Sequence, residues 1–546
     1  MTTAASVPKE ARSDGRDATS VERPWLRWTL VILAVLPFHL PLLQHLLNGS
    51  VATGFLQYDA PYYMANARAI FEHGNGFAYP NPYDPDPHAP VIYFHWLMWL
   101  LGFGVKFLHL DPGALFATLG VAGSIICSAL TLRLVELVLP DPRGRWGWFL
   151  LTLWGGGIVC VGAAALNLTH GQPLLTDLFR LDAGEGWWFP NWGRNLITST
   201  EVVYHCLVAA AWIGVLQRRW GLAIGAVGAL AATHPFSGLQ HLLILNAWLG
   251  ITALRERTSA AWGRALLALT LLVLFGLYYF WFLNLFPTHR ALIAVWSTAH
   301  QVTLTNIFVE VGPLVLVALW RLRQAHWRPE ESGWFWLTAF FVTFLLMQHD
   351  WFIAPHQPAH FSRGYLWLPV WLLALPQLQA WGRKWDGARH RLVAVAAWGL
   401  LWALCVADNT SFIVRDLNGG ELARVRLPDD QREMYGWMDR MNLRGVLLCF
   451  DTRLSYHAAT YTGVRTYYGH LNNTPNIGRR WREVAGWHRQ GITGAWLQTI
   501  DYVLIERTNP PAAFDWSQWT ELHRNRDYIL LGRRDASPAI APVPGN

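Results

Sequence analysis

The stretch Gln57 to Arg68, QYDAPYYMANAR, follows directly on the first long apolar segment and decides how the rest of the chain is read. It carries a single acid, Asp59, then a proline-led turn (Pro61, Tyr62, Tyr63), then Arg68. Proline at the first helical position leaves no amide unsatisfied, so the spacing predicts a helix from Pro61 to His73 with Asp59 beside its positive end. Two roles are open to such an aspartate. It can cap the helix, or it can act as a general base held at a membrane surface.

Of the 546 residues 53% are hydrophobic and only 14% charged, with 33 tryptophans. A water-soluble domain carries about a quarter charged residues, so this is a polytopic membrane protein. The net charge of +7 sits in short Arg and Lys clusters between apolar segments, the pattern of cytoplasmic loops, and does not point to nucleic acid. Cys127, Cys160, Cys206 and Cys405 lie inside apolar runs and only Cys449 in a polar region, which leaves no disulfide framework and no CxxC metal site.

Residues 1–24 are polar and lack a cleavable apolar core, and read as a cytoplasmic tail. The first helix covers Trp25 to Leu47, behind Arg12, Arg16, Arg23 and Arg27, so the N-terminus is expected inside. Residues 48–90 form an outside loop, long enough to be functional. Apolar segments follow at about 91–109, 113–138, 146–166, 196–216, 220–233, 236–254, 262–286, 303–320, 334–353, 364–380 and 391–407, giving a helical membrane module of about 11 to 13 helices over 25–408. Alternation leaves one conflict: Arg133, Arg143 and Arg145 belong inside, yet two full crossings between 91 and 138 would put them outside. One of those segments is then re-entrant or half-spanning, or the loop breaks the rule.

Residues 409–534 alternate helix-like stretches (Pro428 to Asn442, Ile477 to Gln490) with strand-like ones (Val446 to Phe450, Tyr502 to Glu506, Tyr528 to Leu531). This predicts a small extracytoplasmic α/β domain, followed by a disordered tail at 535–546.

Other residues join the candidate site. Asp84, Asp86 and His88 (YDPDPHAP) offer oxygen and imidazole ligands for Mg²⁺ or Mn²⁺, although alternating Asp-Pro is also turn chemistry. His95, His234, His349, Asp350, His356, His360 and Arg363 fall near the expected outside ends of helices, where ionisable groups are costly and signal a site. Arg363 is the natural phosphate ligand among them, because guanidinium matches phosphate in a bidentate way. A water-exposed loop with mutually satisfied histidines is the alternative reading of 348–363. Glu201 and Glu310 lie in apolar surroundings and call for Arg or His partners. The loop Tyr461 to Asn476, with His470, either faces the membrane site or packs the domain.

An aspartate just after the first membrane helix, an aromatic surface helix and the proline-led segment Pro90 to Trp96 (PVIYFHW) together resemble the GT-C superfamily of membrane glycosyltransferases. Within it the likeness is to protein O-mannosyltransferases and bacterial aminoarabinose transferases, over residues 50 to 140. Position 60 is alanine here, where those families usually carry an acid. The resemblance implies a GT-C-like fold and transfer of a sugar from a polyprenyl-phosphate donor, embedded in membrane lipid, to an acceptor at the outer face. It implies Asp59 as base, with Tyr62, Tyr63, Arg68 and the histidine and arginine set binding substrate. No cofactor is required, and a divalent metal at the D-x-D-x-H cluster is the open alternative, since a DxD in this loop is similar to the oligosaccharyltransferases. The Ala-, Arg- and Trp-rich composition suggests a bacterial inner membrane. The rival expectation is a transporter of a lipid-linked sugar or an envelope-assembly scaffold, although no internal repeat of the transporter kind is present.

Overall fold

The computed structural model describes residues 24–48, 52–187, 191–296, 301–385, 391–418, 424–512 and 514–534. Of the expected tails at 1–24 and 535–546, residues 1–23 and 535–546 lie outside the described residues.

Among the described residues seven helices are long and apolar enough to cross a membrane: Pro24–Leu47, Pro112–Val138, Ser199–Leu216, Pro235–Glu256, Ser259–Leu285, Leu304–Gln324 and Val395–Leu417. Arg145–Trp154 and Val159–Thr169, bent by 61°, pass the same test only as a pair, with the geometry of a broken span or a re-entrant loop. Three shorter apolar helices, Trp96–Leu108, Trp220–Ala231 and Glu331–Met347, stand beside them, so the expected 11 to 13 exceeds the seven or eight spans found among the described residues. The most apolar span, Ser259–Leu285, has only 11% of its window buried within the protein, and leaves Leu266, Leu274 and Phe280 bare. Apolar surface on that scale belongs in lipid.

The 61° bend falls at Gly155, Gly156 and Gly157. A Cβ on Gly157 would lie 2.6 Å from the Val309 carbonyl oxygen, the same oxygen that accepts the Ile158 N–H at 2.8 Å. The glycines thus let a neighbouring helix approach the bent pair closely.

The charge conflict around residue 133 dissolves in this geometry. Trp96–Leu108 has 13 residues, a rise of about 20 Å against a hydrocarbon core of about 30 Å, so it does not cross. It packs instead on Ala60–Glu72 through an apolar cluster that includes Met64, Ile70, Met98 and Leu101. Glu136, at the far end of Pro112–Val138, gathers Arg27 (2.8 Å), Arg133 (3.1 Å) and Arg145 (3.9 Å), and Arg383 pairs with Asp141. Basic residues from four parts of the sequence therefore meet at one end of the bundle.

The last long helix, Arg391–Leu417, runs past residue 408, where the sequence reading ended the membrane module. Its polar residues are buried against the N-terminal helices: Asp408 accepts from the Cys160 and Val159 amides at 2.8 and 3.3 Å, and the Asn409 amide donates to the Trp154 carbonyl at 2.8 Å. Charged composition there marks helix packing and not a domain boundary.

Beyond it lies a five-stranded sheet: β1 (Val446–Cys449), β2 (Arg465–Thr466), β3 (Tyr502–Glu506), β4 (Trp519–Arg524) and β5 (Tyr528–Arg533), in the order β2-β1-β3-β5-β4. β1 is parallel to β2 and β3, while β5 is antiparallel to β3 and β4. The period-two alternation sorts Leu447, Cys449 and Leu504 onto the face covered by Met434, Tyr435 and Leu454. Val446, Leu448, Val503 and Ile505 pack on Val484 and Trp487 on the other face.

This domain is docked on the loop 52–95. Glu72 meets Arg68 (3.9 Å), Lys106 (3.2 Å) and Arg444 of the domain, and Arg68 also pairs with Asp439. Thr460 donates to the Pro61 carbonyl at 2.9 Å and Asn81 to the Asn473 carbonyl at 2.9 Å. Loop and domain share apolar clusters, one of them built from Ala65, Tyr83, Tyr456 and Ala459.

Candidate functional site

Asp59 stands at the N-cap of the helix Ala60–Glu72, with Pro61 in the first turn, but its side chain caps nothing. Its Oδ1 accepts instead from His470 Nε2 at 2.6 Å, across 411 residues of sequence. Of the two roles left open by the sequence, capping is thus not the one this carboxylate performs. His470 is fixed as a donor from behind, since its Nδ1 lies 3.2 Å from the Asn472 amide and 3.0 Å from the Asn473 side-chain nitrogen, both of which donate. The neutral ring then carries its proton on Nε2, toward Asp59.

Burial pushes the Asp59 pKa up, but the hydrogen bond from His470, with His360 and Arg363 beyond it, outweighs that effect and holds the carboxyl below its ordinary range. It is therefore ionised at neutral pH. With 39% of its side chain accessible, it is also within reach of a ligand.

Asp59 borders a cavity of about 1050 Å³ between the helical module and the C-terminal domain. Tyr62, Tyr63, His95, His234, His349, His356, His360 and Arg363, separated by up to three hundred positions in sequence, all line it, as do Glu201 and His470. At one side the cavity runs out along Val273, Phe280, Phe352 and Ile353, which are largely exposed at the surface of the helical module. A cavity with one polar end and one apolar, lipid-facing end suits a ligand built the same way.

At the polar end Arg363 is held from several directions. It pairs with Glu201, donates from Nε to the His360 carbonyl at 3.1 Å, and brings Nη2 to 3.3 Å from His234 Nε2. Its backbone is left-handed (φ 41°), next to Gly364 at 78°, and its carbonyl lies 3.0 Å from His205 Nε2. A non-glycine residue is uncommon in that region, and here the surrounding contacts hold it there.

His95 and His234 share a second device. Each is the N-cap of its helix, with Nδ1 accepting a backbone amide, from Met98 at 3.3 Å and from Ser237 at 3.1 Å. Each neutral ring must then present Nε2–H on its other side. His95 Nε2 is buried with no hydrogen-bond partner among the described residues. His234 Nε2–H and Arg363 Nη2 are both donors, and two donors 3.3 Å apart suit one shared anion between them. His234-Pro235 lies in the turn that joins Trp220–Ala231 to Pro235–Glu256 as a helical hairpin.

Not every expected residue joins this site. Arg68 is absent from the cavity wall and docks the C-terminal domain through Asp439, because nine positions along the helix turn it away from Asp59. Asp350 does not line the cavity either. His349 lines it but is spent on structure: Nδ1 lies 2.6 Å from the Leu346 carbonyl and Nε2 accepts the His356 amide at 2.8 Å.

Asp84, Asp86 and His88 do not converge. Asp84 Oδ1 sits 3.5 Å from Arg480 and accepts the Asp86 amide at 3.3 Å, and Asp86 Oδ1 accepts the His88 amide at 2.9 Å. These are turn bonds, and among the described residues no group of three or more His, Cys, Asp or Glu is placed to hold a metal ion. The cluster does not fit a resident Mg²⁺ or Mn²⁺.

Sequence reading did not single out Asn66, Asn81, Tyr79, Tyr93 or His289, which complete the wall. Only their positions in or beside expected outside loops hinted at them.

No family model matches the chain, and no curated protein matches it. Among solved structures the fold is similar to that of ArnT from Cupriavidus metallidurans bound to undecaprenyl phosphate, at 12% sequence identity over 94% of this chain and 98% of that chain, with a TM-score of 0.44.

Proposed function

We propose that the chain is a membrane glycosyltransferase, GT-C-like, that moves a sugar from a polyprenyl-phosphate donor to an acceptor at the outer face of the membrane. The observation that carries this reading is the single cavity in which an ionised, accessible Asp59 faces converging N–H donors at Arg363 and His234, with an apolar rim for a lipid chain.

In this reading the acceptor hydroxyl gives its proton to Asp59 while its oxygen attacks the anomeric carbon. The bond from that carbon to the phosphate oxygen breaks, and its electron pair leaves with the polyprenyl phosphate. Arg363, His234 and His95 donate to the phosphate oxygens as charge develops there, the kind of preorganised stabilisation that often dominates catalysis. A carboxylate of depressed pKa is a weak base toward a free alcohol. It suffices once departure of the phosphate leaves positive charge on the sugar and acidifies the attacking hydroxyl.

The test is turnover in nanodiscs against a panel of polyprenyl-phosphate sugars, reading release of polyprenyl phosphate. Asp59→Asn is expected to slow release by about 10²- to 10⁴-fold in protein that a thermal melt shows to be folded. Release that survives the substitution removes Asp59 as base, and binding of the donors without release by the wild type favours a transporter or scaffold.

A further inference from the structure

A second concavity lies wholly outside the steps above. Two adjoining clefts of about 590 and 470 Å³ share Asp451, Arg453, Leu454 and Glu506 in the C-terminal domain. They open at the carboxyl ends of β1 and β3, and the reason is topological. From β1 the chain crosses through Thr452–Tyr461 to β2 on one side, and from β2 through Ile477–Gln490 to β3 on the other. The strand order therefore reverses between β1 and β3, and parallel sheets bind ligands in the crevice outside such a reversal.

The walls identify the chemistry. Tyr58, Phe450 and Trp481 supply aromatic faces, and Trp481 stands 51% exposed on its helix. Asp451 and Glu506 supply acceptors, and Arg424, Arg426, Arg453 and Asn509 supply donors. His457, only 1% exposed, lines the smaller cleft with both ring nitrogens lacking a hydrogen-bond partner. Burial, with Arg453 beside it, pushes its pKa down to about 4, so the ring is a neutral donor and acceptor. An unsatisfied buried imidazole is costly unless a ligand completes it.

The N-terminus of Thr452–Tyr461 is no anion site, because Asp451 already closes it: its carboxylate accepts the Arg453 amide at 2.6 Å and pairs with its guanidinium at 3.5 Å. An extended peptide would add to a sheet edge, at β2 or β4, and not at strand ends. Aromatic faces with carboxylates, guanidiniums and a neutral imidazole between them match a pyranose, apolar on its C–H face and ringed by hydroxyls that both donate and accept.

The crevice also adjoins the reaction centre. Tyr58 forms part of its wall and stacks on Tyr456 and His470 at 4.9 and 5.0 Å, while the next residue, Asp59, faces the large cavity. Leu471 lines the crevice, and His470 and Asn472 on either side of it line the cavity. One thin partition separates the two.

We infer that this crevice is a subsite for a neutral saccharide, and that it holds the glycan of the acceptor whose hydroxyl reaches Asp59 past Tyr58. The acceptor role rests on the transferase reading; the saccharide site does not.

The test is saturation-transfer NMR on the full chain in nanodiscs, with maltotetraose, mannotetraose and chitotetraose as probes beside an anionic oligosaccharide and an extended peptide. Saturable binding of a neutral tetrasaccharide is expected, weakened about tenfold or more in Trp481→Ala and in His457→Ala. Trp481 is exposed on its helix, so its truncation leaves the fold intact, as a thermal melt checks. Absence of neutral-saccharide binding, indifference to Trp481→Ala, or binding only of the peptide or the anion overturns the inference. Donor turnover is measured on the same wild-type sample. Saccharide binding without turnover sinks the transferase reading alone, and turnover without saccharide binding sinks the subsite alone.

Discussion

Asp59 shows how one side chain acquires its character from distant parts of the chain. The groups that face it are Tyr58, Tyr62 and Tyr63 on its own segment, His470 from the C-terminal domain, and His360 and Arg363 from the segment before Trp367. Burial alone would raise its pKa, and His470 is the first of the groups that reverse this. In His470→Ala the burial stays and the hydrogen bond goes, so the carboxyl pKa must rise. The acid limb of the pH–rate profile is expected to move to higher pH, with little change in KM for the donor. The sign for stability follows the same logic. A carboxylate with a depressed folded pKa stabilises the docked domain above its unfolded pKa, and this contribution is lost as pH falls through the folded value. The sequence offered Asp59 as base or cap and could not choose, because the choice depends on a residue 411 positions away.

At the scale of single elements, the helix starts do double work. His95 and His234 take the N-cap place that serine, threonine, aspartate or asparagine usually fills, and so turn a capping bond into a device that aims Nε2–H at the cavity. Asparagine keeps the capping oxygen, but its Nδ2 donor sits on a shorter side chain and does not reach the place of the imidazole Nε2–H. His234→Asn is therefore expected to leave stability within about 0.5 kcal/mol and to lower kcat/KM for the donor by about 10²-fold, as steady-state kinetics and a thermal melt on one preparation would show. The helix positions themselves were legible: predicted segments at 113–138, 196–216 and 236–254 match Pro112–Val138, Ser199–Leu216 and Pro235–Glu256, since apolar runs of that length have few alternatives. The bent segment at Gly155 to Gly157 was read as continuous, because hydropathy does not register a bend. β2, two residues long, and β4, with its run Thr520-Glu521-Leu522-His523, lack the apolar alternation that would announce a strand.

For the molecule as a whole, the catalytic candidates exist only while the C-terminal domain is docked. Glu72, with 8% of its side chain accessible, is the electrostatic hinge of that contact, surrounded by Arg68, Lys106 and Arg444. Glu72→Lys would place four cations together at a cost of about 3–5 kcal/mol. Hydrogen exchange is then expected to rise in Ala60–Glu72 and Thr452–Tyr461 while the β1 and β3 amides stay protected, and turnover should fall because His470 leaves Asp59. What the sequence determined by itself was the membrane class, the position of nearly every apolar helix, the α/β character of the end of the chain and most of the polar residues that gather at the cavity. These depend on composition and on periodicity within a few turns, which are local quantities. Tertiary structure decided which of those residues meet: it sent Arg68 to a docking contact, Asp84 to Arg480, Glu201 to Arg363 and His470 to Asp59. Such pairings are set by how helices and domain pack across hundreds of residues, and no local pattern in the sequence encodes a partner at that distance.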